Sequence, residues 1–233
     1  MIASKAGWTR KKPRAHYIGV IPKGTMNRSE KLFQEIFERF QIKFEKIPES
    51  TVNDEKRPDF EVGEGNTLSY WEVKELEENH HEKRIVKAIS NGQKKIYSVN
   101  SKRVKESIRK AFHQFESYGV EESPCIVVLH DARDFMVKDF LFHQYIQSAM
   151  LGNAQFIEDQ EGDLKEIYRS EGLLTNKRKY VAAIATMHAE TKEIVLFHNP
   201  NSEHSLDNHG ILGMFKHQYH AQNTDNGLAW IKI

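Results

Sequence analysis

The chain reads as an α/β protein in which helices flank a mixed central β-sheet. Three observations predict this. Apolar residues recur at helical spacing over residues 29–40 and 101–118. Residues 59–62 and 68–76 alternate polar and apolar with period two. The continuous run Cys125-Ile126-Val127-Val128-Leu129 has the composition of a strand buried on both faces. Together they give the order helix, strands, helix, strand, helix, then a strand pair, which suits helices packed on the faces of one sheet.

Taken in order, residues 1–28 form a basic N-terminal arm, broken by Gly7, Pro13, Gly19, Pro22 and Gly24. The helix at 29–40 places Leu32, Phe33, Ile36, Phe37 and Phe40 on one stripe, and Asn27 with Glu30 has the spacing of a capping box. A loop with Pro48, Ser50, Asn53 and Asp54 follows. The strands 59–62 and 68–76 flank the turn signal Gly63-Glu64-Gly65-Asn66, so they read as a hairpin. His80 and His81 fall in a loop among acids. The second helix carries Val104, Ile108, Ala111, Phe112 and Phe115 on its apolar face. Pro124 leads into the buried strand, a third helix spans about 137–150, and 180–187 with 193–197 forms the late strand pair. The tail after Pro200 has no clear pattern. Residues 29–150 are the core, and residues 151–233 are an extension that completes the sheet or shapes access to it, within one compact domain.

The charges balance, 34 basic against 33 acidic residues, but unevenly along the chain. The arm is basic, and so is the stretch from Lys83 to Lys110, which includes Lys94 and Lys95, whereas 158–171 is acidic. Such asymmetry points to an anionic partner on one side of the molecule; the plain alternative is a solvated face. No apolar run reaches the roughly 18 residues of a membrane span, and the first residues lack a signal-peptide stretch. The single cysteine, Cys125, excludes an internal disulfide and reads as a small buried hydrophobe. The expected compartment is the reducing cytoplasm.

The chemistry concentrates in Arg57-Pro58-Asp59 followed by Trp71-Glu72-Val73-Lys74. Period two puts Glu72 and Lys74 on one face of their strand, and the hairpin brings Asp59 across to Glu72. Two carboxylates beside one lysine make a site for a hard cation, Mg²⁺ or Mn²⁺, with the Val73 carbonyl as a further ligand. A cation so held polarises a phosphoryl oxygen and steadies a leaving oxygen, while Lys74 orients water or stabilises developing charge.

Pro58-Asp59 followed by Glu72-Val73-Lys74 resembles the signature of the PD-(D/E)xK phosphodiesterase superfamily, which includes restriction endonucleases, junction resolvases and recombination exonucleases. The resemblance covers residues 28–130, roughly half of the chain. It implies a restriction-endonuclease-like core and metal-dependent hydrolysis of nucleic acid, DNA first. It also implies a metal-proximal glutamate on the first helix, for which Glu30 is the best match, sharing a stripe with Phe33 and Phe37; the alternative is that Glu30 only closes the cap. Gln114 and Tyr118 match a Gln-x-x-x-Tyr pattern of the exonuclease branch, and Arg103 and Lys110 extend that stripe as phosphate contacts. An ordinary wet helix face is the alternative there.

Three functions stay open: a DNA endonuclease, an exonuclease or RNase on the same core, and a non-catalytic nucleic-acid-binding module. Duplex cutting would suit a homodimer. A rival zinc reading rests on the histidines of the last third, His217 and His220 above all, without any Cys or His-Glu-x-x-His string in support.

Overall fold

The computed structural model describes residues 26–51, 55–63, 65–92, 102–133, 138–158, 164–170, 172–174, 178–225 and 227–233. Most of the basic arm, with Lys94 and Lys95, lies outside the described residues.

Helix α1 (Arg28–Arg39) starts where Asn27 is extended and its side chain accepts the Glu30 N–H at 2.9 Å. That bond satisfies one of the free amides of a helix start. Leu32, Phe33, Ile36 and Phe37 are buried, at the spacing of a single helical face. Strand β1 (Phe44–Lys46) pairs antiparallel with β2 (Phe60–Val62), and β2 with β3 (Ser69–Leu76). Gly63 turns the chain between β2 and β3 at a φ of +92°, and a Cβ there would lie 2.3 Å from the Thr67 carbonyl oxygen. Only glycine takes that corner without strain.

Helix α2 (His80–Ser90) corrects the loop expected there. Asn79 caps it: its Oδ1 accepts the Glu82 N–H at 2.9 Å, and Glu82 reaches back to the Asn79 N–H at 2.8 Å. This reciprocal box stands in the sequence, but it is followed by only a thin apolar pattern. Helix α3 (Lys102–Tyr118) then crosses to β4 (Cys125–Asp131), every residue of which is buried. Helix α4 (Lys138–Leu151) and a two-stranded hairpin, β5 (Asn153–Glu158) with β6 (Leu164–Ser170), precede β7 (Val181–His188) and β8 (Glu193–His198). The tail is not irregular: it forms β9 (Phe215–Thr224) and β10 (Gly227–Lys232).

The main sheet runs β1-β2-β3-β4-β7-β8-β9-β10. It is mixed: β3, β4 and β7 are parallel neighbours, as are β8 and β9, and the other pairs are antiparallel. Steps from β3 to β4 and from β4 to β7 move the same way across the sheet. Two crossovers of one hand then put α3 and α4 on the same face. They do share one core, with Ile108, Phe112, Phe115, Phe142 and Ile146 packed on Val127, Leu129 and Val181. Helix α1 covers the opposite face, its Phe33 and Phe37 packed among Phe60, Trp71 and Val73. Among the described residues no helix is long and apolar enough to cross a membrane.

Candidate active site

The site lies where β2 gives out beside β3. The two strands pair only as far as Phe60 and Trp71, while β3 continues to Leu76. Asp59 stands at this end. Its N–H donates to the Trp71 carbonyl at 3.0 Å, and its carbonyl accepts the Ile47 N–H at 2.8 Å, so its backbone is held from both sides. Its Oδ2 accepts the Val73 N–H at 2.8 Å. A strand residue directs N–H and C=O toward the same edge, so the Val73 carbonyl also points to the Asp59 side, while the Val73 side chain is buried in the α1 core.

Strand alternation sorts the remaining groups. Trp71 and Val73 face α1, whereas Tyr70 and Leu76 face α3, and Glu72 and Lys74 lie on the α3 side with them. Glu72 is 1 % exposed. Its Oε1 accepts from the Lys74 ammonium, and its buried Oε2 has no hydrogen-bond partner. Burial, with the Asp59 charge as the next cause, pushes the Glu72 carboxyl up to about 8, against the pull of Lys74 and Gln114. Lys74 donates to Gln114 Oε1 as well. Gln114 in turn donates through Nε2 to the Arg57 carbonyl at 2.9 Å. One α3 side chain thus ties the lysine to the segment that carries Asp59.

Glu30 arrives from α1. Its Oε1 accepts from Asn27 Nδ2 at 3.0 Å, and its Oε2 pairs with Lys46 at 2.9 Å. The Glu30 side chain thus meets the Asn27 side chain rather than the Asn27 backbone N–H that a capping box would use, and its other oxygen faces Lys46. The helix start is docked on β3 by buried Ser29, whose N–H donates to Glu75 Oε2 at 3.0 Å and whose hydroxyl meets both Glu75 and buried His130.

Lys46 is the group that sequence reasoning missed. Its ammonium lies 2.9 Å from Glu30 Oε2 and 3.2 Å from Asp59 Oδ1, over the Phe60 ring. Burial acts to lower its pKa, but the Asp59 and Glu30 carboxylates outweigh this and the net shift is upward. The only local signal was the alternation in Phe44-Glu45-Lys46, three residues whose partner strand the sequence does not name.

Lys46, Asp59, Lys74 and Gln114 line a cleft of about 450 Å³ together with Arg57, Lys110, Glu49 and Glu55 among others, whereas Glu30 and the buried Glu72 stand behind its lining. Lys110 is exposed on the cleft wall. Tyr118 is placed below it: its ring meets Tyr70 edge-on at 6.0 Å and carries the Arg57 guanidinium at 5.9 Å. Arg103 does not line the cleft; it pairs with Glu82 and donates to the Glu77 carbonyl. The structure therefore brings together Glu30, Asp59, Glu72, Lys74, Gln114 and Lys110, and sets Arg103 apart.

The zinc reading fails on geometry. His217 and His220 lie on strand β9, so three positions apart they face opposite sides of the sheet. His220 instead stacks on His198 at 3.9 Å, and burial lowers the pKa of both rings. Among the described residues no group of three or more His, Cys, Asp or Glu side chains is arranged to hold a metal. The Asp59–Glu72 pair is a different donor set: two carboxylates and a backbone carbonyl, enough for Mg²⁺, which keeps several waters and takes one or two carboxylates from protein. The unpartnered buried Oε2 of Glu72 fits such an ion, because a buried carboxylate oxygen is costly until a donor or a cation meets it. Comparison with protein families, with curated proteins and with solved structures found no match.

Proposed function

We propose that this chain is a metal-dependent nuclease of the PD-(D/E)xK kind, cutting phosphodiester bonds in DNA internally, with its restriction-endonuclease-like core in β1–β4, α1 and α3. The observation that carries the reading is the buried Glu72 carboxylate, one oxygen on Lys74 and the other unpartnered, near Asp59, which lines a cleft together with Lys46, Lys74 and Lys110.

Asp59 and Glu72 would hold Mg²⁺ or Mn²⁺, with the Val73 carbonyl as a further ligand. When bound, the ion polarises the phosphoryl oxygen and helps ionise water. Lys74 places a positive charge against the reacting phosphate, where charge builds up in the transition state. Gln114 keeps that ammonium from rotating away, since its oxygen accepts from Lys74 while its nitrogen is fixed on the Arg57 carbonyl. Lys110 meets the flanking backbone from the cleft wall, which positions the strand without reading its sequence.

The test is cleavage of duplex plasmid, circular single-stranded DNA and RNA, each with Mg²⁺ and with EDTA. Mg²⁺-dependent nicking of circular DNA is expected. Asp59→Asn and Lys74→Ala should each slow it by roughly 100-fold or more, the scale of losing one preorganised electrostatic group. Cutting only from ends points to an exonuclease, and cutting only RNA to an RNase. Metal-independent binding without cleavage of any substrate overturns the enzyme.

A further inference from the structure

Lys46 occupies a place that its own charge makes conspicuous. Its ammonium bridges two carboxylates from different elements, Glu30 on α1 and Asp59 ahead of β2. That ammonium lies over the Phe60 ring, and the side chain is 22 % exposed where it lines the cleft. A divalent cation held by Asp59 and Glu72 would approach the Asp59 carboxylate to about 2.0–2.1 Å. Such an ion and an ammonium 3.2 Å from Asp59 Oδ1 compete for one carboxylate and repel in charge.

We infer that Lys46 is a tethered counter-ion, held by Glu30 and Asp59, that a divalent cation taken up by Asp59 and Glu72 must displace from the Asp59 carboxylate, and that the displaced ammonium swings into the cleft to meet the DNA backbone. The inference rests on the metal-dependent nuclease reading above. It makes Lys46 a positioning residue with two opposed effects: it weakens metal binding to the free protein, and it strengthens binding of nucleic acid once metal is present. The geometry permits the exchange. The ammonium lies over the Phe60 ring, 4.8 Å from its centroid, and Lys46 lines the cleft. A purely structural salt bridge would behave otherwise, since losing it would loosen β1 against α1 and lower metal affinity with it.

The test titrates Mn²⁺ alone into the metal-free full chain by calorimetry, for the natural protein, Lys46→Met, Lys46→Arg and Asp59→Asn. Removing a positive charge about 4 Å from a divalent ion should tighten Mn²⁺ binding on the order of tenfold in Lys46→Met. Lys46→Arg should bind like the natural protein, and Asp59→Asn should lose most binding. With metal present, Lys46→Met should also bind duplex DNA more weakly, with a shallower salt dependence. Mn²⁺ binding that needs Asp59 but is unchanged or weaker in Lys46→Met overturns the role of Lys46 and leaves the nuclease reading standing. No Mn²⁺ binding by any variant overturns both. A second measurement needs no variant: amine acetylation of the natural protein, mapped by mass spectrometry. Mg²⁺ should raise modification at Lys46 several-fold, and equal or lower modification overturns the displacement.

Discussion

Glu72 shows how much one residue's surroundings change its chemistry. Its ordinary value is 4.5, and in the folded chain burial carries it to about 8. The folded state then holds the proton more tightly than the unfolded state. Full stability is present below pH 4.5, and it is lost progressively as the pH rises through 8, because the carboxyl must ionise in a buried place. Glu72→Gln should therefore raise the thermal midpoint of the metal-free protein at about pH 8, with the gain shrinking towards about pH 5. Thermal melts across that range check it, and a gain that ignores pH would remove the carboxylate as its source. Mg²⁺ should stabilise the natural protein more than the variant, since a ligand that favours the folded state stabilises in proportion to its binding. Cys125 is the counter-example: burial pushes its thiol up, and it packs as a small hydrophobe with no part in the chemistry.

At the scale of elements, the site depends on a register. Phe60 stands opposite Trp71, and this places Asp59 beside the Val73 amide. Gly63 sets the turn that produces the register, and a β-carbon there would run into the Thr67 carbonyl. Gly63→Ala should cost about 1–3 kcal/mol of stability, the usual scale of forcing an L-residue into such a backbone. It should also cut activity more than stability alone predicts, because the hairpin shifts Asp59 against Glu72. Gly65→Ala, at a φ of +56° with open space around its Cβ position, should cost less. Denaturant melts of the two variants decide this, and equal costs would show that the contact with Thr67 does not matter.

For the whole molecule, the cleft lies at the β1–β3 end of the sheet, and its wall includes, beside Glu49, Glu55 and Asp59, the basic residues Lys46, Lys56, Arg57, Lys74 and Lys110. If these neutralise phosphates, DNA affinity must fall steeply with salt. Lys110→Ala should reduce the slope of log affinity against log salt by about 0.9, the share of a single phosphate contact. Arg103→Ala should leave the slope nearly unchanged, because that guanidinium is paired with Glu82 and the Glu77 carbonyl outside the cleft. Fluorescence anisotropy over a salt series separates the two, and a flat response in the natural protein would remove the cleft as the DNA footprint.

The sheet between helices was legible because its signals are local. Helical spacing in α1 and α3, alternation in β3 and the apolar run of β4 each follow from which face a neighbour shares, and that is decided within a few residues. The common face of Glu72 and Lys74 belongs to the same class. The short β1, the helix α2 with its thin apolar face and the strands β9 and β10 carry weak local patterns; the three strands are completed by the neighbours they pair with in the sheet.

What the amino-acid order determined by itself is α1, β2, β3, α3 and β4, and the placing of an acid and a lysine side by side on one strand. Only the tertiary structure decided that Lys46 stands between Glu30 and Asp59, that Gln114 reaches Lys74, and that Arg103 turns to Glu82. Those partners come from segments far apart in the chain. Backbone period dictates the direction in which a side chain points, but the group it meets is chosen when whole elements pack to bury their apolar faces together.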